Sequence, residues 1–289
     1  MYLDALRTRM PLMILAISTP LGALAVDEPA ETLRDPWAGF QNGAWITFRE
    51  KGTFGEQSAE MIKKHTLVSF SRGTSEVTEQ RQTDNKFGPP RSRGWHVPGR
   101  LPTKEQQVAI KDESFTVGRE TFPCVVVEYV VDGDKAPPTA KIVFWRCKDI
   151  KLPYRELKCA GPDLALMPDV VRVKYEYSSS AKPPEHKSVR AEFQVVSTHD
   201  ELTIGERKIN CVLEQGSLIE ETASIKTIAQ SQRWLSDEVP GRVVKHHGTA
   251  KVVNKIDSTT HDLEVTWELL DFGLSSPRTP SRAYLGSPR

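Results

Sequence analysis

The strongest constraint on this chain is that it carries one stretch twice. The run SFTVGRETFPCVVVE (114–128) lies over ELTIGERKINCVLEQ (201–215) at an offset of 87 residues, so that Gly118 falls on Gly205 and Cys124 on Cys211. Phe115, Val117 and Phe122 fall on Leu202, Ile204 and Ile209, which keeps the apolar positions. Pro153, Arg155 and Lys158 fall on Pro240, Arg242 and Lys245 at the same offset, while Trp145 falls on Trp234 at 89. The two-residue difference opens before the Trp and closes after it, beside candidate loops. A duplicated unit has to pack in the same way twice, which favours two related units over two unrelated domains. The spacing predicts a first β unit over 26–165 and a second over 166–273, each of about six strands.

The units read as β. Segments 44–50, 65–71, 124–131, 141–145, 170–178 and 189–197 are rich in β-branched and aromatic residues. In 171–177, Val171, Val173, Tyr175 and Tyr177 alternate with Arg172, Lys174 and Glu176, the period of a sheet with one wet face. Helix patterns are few: 102–110 could make two turns and 28–35 one short helix. Without crossover helices a parallel sheet is excluded, and the expectation is a long, curved antiparallel sheet, internally duplicated and open to a half-barrel form. In each unit a Gly supplies the positive φ of a tight turn, and the Trp begins a second hairpin, with DIKLP at its turn in one copy and DEVPG in the other.

The ends do not share this pattern. Residues 1–25 have the layout of an export signal: Arg7 and Arg9, an apolar stretch from Met10 to Leu21, and Ala23 and Ala25 as small residues before a cleavage point. The apolar stretch holds Pro11 and Pro20 and is too short to span a bilayer. The expectation is therefore a secreted or periplasmic protein. Residues 274–289 carry Arg278, Arg282 and Arg289, no acid, and a Ser- and Pro-rich composition that predicts a disordered basic tail. The whole chain has net charge +1; without leader and tail the body carries 34 basic and 37 acidic residues. Such a balance excludes a dedicated nucleic-acid binder. A Pro- and Gly-rich segment, 83–103, interrupts the first unit without periodicity and carries Trp95 and His96, a candidate contact for a ligand or partner.

Little in the chain points to catalysis. No CxxC, HExxH or HxH is present, and the adjacent His246 and His247 point to opposite faces of a strand, so no metal or cofactor is expected. No GxSxG or P-loop occurs, and Ser179 with Lys182 has nucleophile spacing only within a Pro-containing turn. Export implies an oxidising compartment for the four Cys. A Cys147–Cys159 bridge across the DIKLP turn is one candidate pairing; four Cys allow three connectivities, and the sequence does not choose among them.

The strand–turn–strand RWLSDEVPGRVVKHHGTAKV (233–252), and more loosely FWRCKDIKLPYRELK (144–158), resembles a hairpin of the periplasmic lipoprotein-carrier family. The opening PWAGFQNGAWITFRE with GERKINC…WLSDEVPGRVVK is also similar to uncharacterised secreted proteins of planctomycete-type bacteria. The carrier resemblance implies a curved half-barrel around an apolar cavity. This chain departs from it in offering few helices to line the concave face. Two roles follow as expectations: a non-enzymatic structural or interaction module of the envelope, with an envelope protein as partner, or a carrier or sensor of a lipid or other apolar small molecule. For the second, Phe144, Trp145, Trp234, Val243 and Trp267 are the candidates to face the ligand. A hydrolase is the remaining alternative.

Overall fold

The computed structural model describes residues 35–71, 73–96, 102–132, 139–157, 164–179 and 187–274. The expected leader, the helix at 28–35 except Asp35, Cys159 and the tail from 275 lie outside these residues.

Sixteen strands account for nearly all of the described chain. The first five are β1 (Trp45–Phe54), β2 (Gln57–Ser71), β3 (Thr74–Thr83), β4 (Lys86–Phe87) and β5 (Arg91–His96). A single 3-10 turn at Lys104–Gln106 precedes β6 (Gln107–Val117), β7 (Glu120–Asp132), β8 (Thr139–Arg146), β9 (Arg155–Leu157), β10 (Leu164–Leu166) and β11 (Val170–Ser178). The last five are β12 (Lys187–Ile204), β13 (Arg207–Thr222), β14 (Ile225–Leu235), β15 (Val243–Asn254) and β16 (Thr260–Gly273). Fourteen of them form one antiparallel sheet in the order β4-β3-β2-β1-β16-β15-β14-β13-β12-β11-β8-β7-β6, with β5 also on β3; β9 and β10 pair with each other. The sheet does not close, but it curves: β12 touches both β6 and β16, each four strands away in sheet order.

The curvature packs three cores. On one face of β7, β8, β11 and β12, Val127, Tyr129, Ile142, Phe144, Val173, Tyr175 and Val189 are buried beneath Leu166 and Met167. The opposite face of β7 and β8 presents Cys124, Val126, Trp145 and Cys147 to Ile150, Leu152 and Val195. These two strands are therefore buried on both sides, which is why 124–131 reads as an apolar run rather than an alternation. In the third core, Ile209 and Cys211 at the β12–β13 tip meet Ile46, Phe48, Leu67, Val77, Leu269 and Phe272, with Trp37 and Val239 from loops.

Three expectations need correction. The pattern over 102–110 is not two helical turns: after the 3-10 turn the chain is already in β6, where Ile110 pairs with Val127 of β7. Tertiary pairing overrides a weak local helix signal. Nor is 83–103 without structure. Asp84 and Asn85, at φ 50° and 59°, turn the chain so that Thr83 pairs with Lys86, and β5 then returns along β3. The Asp-Asn pair is the turn signal that the Pro and Gly content masked. Finally, DIKLP is not a hairpin turn, because β8 lies between β7 and β11 and β9 pairs with β10. At DEVPG the expected hairpin does form, with Leu235 opposite Val243 across Arg242 and Gly241, both at positive φ.

Candidate functional site

The ligand-facing residues expected from the sequence are not brought together. Phe144 is fully buried, and Trp145, its neighbour, lies on the other face of β8. Trp234 and Trp267 pack against the third core; Val243 pairs with Leu235 at the base of β15. The indoles are also spoken for. Trp145 Nε1 donates to Glu113 at 2.7 Å and the ring lies 4.7 Å from the Arg172 guanidinium. Trp234 Nε1 donates to Asp200 at 3.1 Å and lies 5.5 Å from the Lys245 ammonium. Trp95 sits in β5 with its backbone opposite Glu76.

The disulfide joins Cys124 to Cys147, not Cys147 to Cys159. Register is the reason. Val125 pairs with Arg146, so the next residues, Cys124 and Cys147, stand directly opposite with Cα atoms 4.3 Å apart. Cys211 is a free, buried thiol, and burial, with Asp200 and Glu238 nearby, pushes its pKa up to about 12. It is a packing residue rather than a nucleophile.

His96 belongs to a polar latch of five side chains and one backbone amide. Asp35, fully buried, accepts from Ser75 Oγ (2.9 Å), His96 Nδ1 (2.7 Å) and the Trp37 amide (2.8 Å). His96 Nε2 donates to Glu156 (3.0 Å), which also accepts from the Tyr154 hydroxyl. Burial works against a charge on the ring, but the hydrogen bonds to Asp35 and Glu156 outweigh it and hold the pKa up at about 9. The imidazolium thereby ties β5, beside the sheet edge, to the segment before β1 and to β9. Ser75 bonds Asp35 rather than His96, so the cluster holds a charge in place and does not activate the hydroxyl.

A second polar row crosses the packed face of the sheet. Glu50, Trp267, His246, Arg233 and Glu214 stand opposite one another on β1, β16, β15, β14 and β13. Glu214 is buried and binds Arg233 at 2.9 Å, with Arg155 at 3.6 Å. Burial, then Arg233 and His247, pull the His246 pKa down to about 4, so the ring is neutral at pH 7. Beyond this row Phe193 lies across Gly216, where a Cβ would come within 2.3 Å of the ring.

The other face of the same strands carries the concave feature. Register places Gln194, Gln215, Gln232 and His247 side by side on β12, β13, β14 and β15. The next register places Glu192, Ser217, Gln230 and Thr249 beside them. These eight residues, with Gly216 and Ser231, line a groove of about 560 Å³. It adjoins a second hollow of about 400 Å³, which shares Gln230 and Thr249 and continues to Thr53, Asp262 and Glu264. Glu192 is held by Arg172, and His247 Nε2 lies 3.0 Å from Glu264. Sequence reasoning passed over this face because glutamines at period two read only as a wet face; their alignment across strands depends on register. Among the described residues no group of three or more His, Cys, Asp or Glu could hold a metal ion, and no helix is long and apolar enough to cross a membrane.

No protein-family model matches this chain, and no curated protein sequence matches it. Solved structures show a loose similarity. A protein from Bacteroides fragilis, described as exported and as having a YmcC-like fold, is 9% identical, with 81% of this chain and 97% of that chain covered at a TM-score of 0.32. A chain from Parabacteroides distasonis, described as a lipoprotein, is 8% identical, with 84% and 98% covered at a TM-score of 0.35. The outer membrane channel DcaP of Acinetobacter baumannii is 8% identical, with 78% and 97% covered at a TM-score of 0.17.

Proposed function

We propose that the chain is an exported, non-enzymatic interaction module of the cell envelope, built from two related β units, which presents the groove across β12–β15 to its partner. The observation that carries this reading is the contrast between the two kinds of surface. Buried apolar side chains fill three cores, and the larger concavity is lined by amides, hydroxyls and a few charges, while the smaller adds Ile228, Ala250 and Leu263 to such groups. A carrier of an apolar ligand needs an apolar, solvent-connected cavity; the larger groove has no aliphatic residue in its lining, and the smaller sets Ile228, Ala250 and Leu263 among Lys251, Asp262 and Glu264. Export is supported by the layout of residues 1–25 and by the Cys124–Cys147 bond, since such bonds persist in oxidising compartments.

Duplication is supported by matched geometry. Gly118 and Gly205 both have φ +60° in hairpins closed by Val117 with Glu120 and by Ile204 with Arg207. The two indole bonds, Trp145 to Glu113 and Trp234 to Asp200, use acceptors 87 residues apart. Arg155 and Arg242, both buried, donate to the backbone carbonyls of Val170 and Ala38.

The test uses the full chain expressed in a Gram-negative host. A photo-crosslinking residue is placed at Gln232 in the groove or at Lys208, an exposed residue on a hairpin tip. The expected result is a processed protein in the envelope or periplasmic fraction and one reproducible adduct from position 232 alone. A protein retained unprocessed in the cytosol, or equal labelling from both positions, overturns the reading.

A further inference from the structure

We infer that the groove binds a neutral oligosaccharide strand, an assignment that rests on the module reading above and names its ligand class. Four alternatives fail, three on the lining and one on strand pairing. The groove of about 560 Å³ contains no Lys or Arg and does contain Glu192, which opposes a phosphate or nucleic-acid backbone. It contains no Phe, Tyr, Trp or branched aliphatic side chain, so it has no pocket for the anchors that carry protein–protein affinity, and none for an acyl chain. It lies on the face of a sheet whose strands are paired on both sides, so a peptide cannot add there as a strand.

What the groove does offer is hydrogen-bonding capacity. Each Gln side chain has two N–H donors and a carbonyl acceptor, and each Ser or Thr hydroxyl can do either. Gln194, Gln215 and Gln232 form a direct cross-strand row, with Ser217, Gln230 and Thr249 in the register beside it. Sheet neighbours are about 4.8 Å apart, so these groups repeat at regular short intervals across the strands. A polyhydroxylated chain lying across β12–β15 presents donors and acceptors along its whole length, and it needs both kinds at every step. The second hollow adjoins the groove through Gln230 and Thr249, but it carries Lys251, Ile228 and Leu263, so the oligosaccharide site is confined to the larger groove. The rigid strands hold the row in place, so binding orders side chains but no backbone.

The experiment titrates the full ¹⁵N-labelled chain with cellohexaose, maltohexaose and chitohexaose in turn, following the glutamine side-chain NH₂ resonances and the heat of binding. The expected result is saturable binding of at least one of the three, with shifts in the amides of Gln215 and Gln232. The double variant Gln215→Ala, Gln232→Ala should weaken that binding about tenfold or more, by loss of two to three hydrogen bonds. Lys208→Ala, on the remote tip, should leave it unchanged, and thermal melting should show all variants folded. No saturable binding of any probe, or binding that the double variant leaves unchanged, overturns the inference. If the groove then still gives its single crosslinked adduct, the module reading stands without the glycan; if it gives none, both fall.

Discussion

Ser236 stands to Cys211 in register as Cys147 stands to Cys124, and this leads to a worked prediction. Val125 pairs with Arg146 and sets Cys124 opposite Cys147; Val212 pairs with Leu235 and sets Cys211 opposite Ser236. Both members of the second pair are buried. The variant Ser236→Cys should therefore form a second disulfide, between Cys211 and the thiol introduced by the substitution, without movement of the backbone. In the chain-entropy account, closing a loop of about 25 residues restricts the unfolded chain by about 3.5 kcal/mol. Loss of the Ser236 hydroxyl, which accepts from the Glu238 amide at 3.2 Å, returns about 1 kcal/mol. The net gain of about 2.5 kcal/mol corresponds to a rise in Tm of about 5–10 °C for a body of this size. The assay is non-reducing peptide mapping together with thermal melts of parent and variant, each oxidised and reduced. An oxidised variant in which Cys211 is still alkylated after denaturation would refute the register argument. A bond that forms but lowers Tm would show that the Cys211–Ser236 pair does not share the geometry of Cys124–Cys147.

Three further outcomes are expected. The folded pKa of His96, about 9, exceeds the ordinary 6.5, so its contribution is full below pH 6.5 and is lost as pH rises towards 9; His96→Gln should flatten stability over that window by on the order of 2–3 kcal/mol, read by urea denaturation at a series of pH values. A parent curve already flat there would contradict the latch. His246 works in the opposite sense: with its folded pKa near 4, the unfolded chain takes up the proton first, so stability falls as pH drops from 6.5 to 4, and His246→Gln should lessen that fall. Gly216→Ala should cost about 1–3 kcal/mol, because the new Cβ forces Phe193 off the strand; an unchanged denaturation midpoint would show that the ring is free to move.

Much of the sheet was legible because alternation and β-branched runs report local geometry. Val171 to Tyr177 reads as a strand with one wet face, and β11 has that form. Gly118 and Gly205 likewise mark tight turns, and each closes a hairpin at positive φ. What was not legible depended on which strands meet. The Cys124–Cys147 pairing follows from the β7–β8 register, and nothing near Cys147 in sequence announces Cys124. Phe144 and Trp145 were both nominated to face a ligand, but adjacent strand residues point to opposite sides, and β8 is buried on both. His96 reads in the sequence as a candidate contact for a ligand or partner, while the groups it meets, Asp35 and Glu156, lie 61 and 60 residues away. The glutamine row spans four strands, and each of its members alone is an ordinary surface residue.

The pairing of β1 with β16 has a consequence for the order of assembly. Followed through space, the sheet is a plain meander from β6 to β16, continued by β1, β2 and β3. The chain therefore starts in the interior of its own path: Trp45–Phe54 must wait for Thr260–Gly273, more than 200 residues later, to receive its second neighbour. A chain threaded out of a ribosome or a translocation pore from its beginning cannot complete this seam until almost all of it has emerged. Such high contact order slows folding and keeps the early hairpins in search of partners. Linking residue 274 to 35 and opening the chain near 102 would convert the seam into a sequential connection, and a circular permutant of that design should fold faster than the native order.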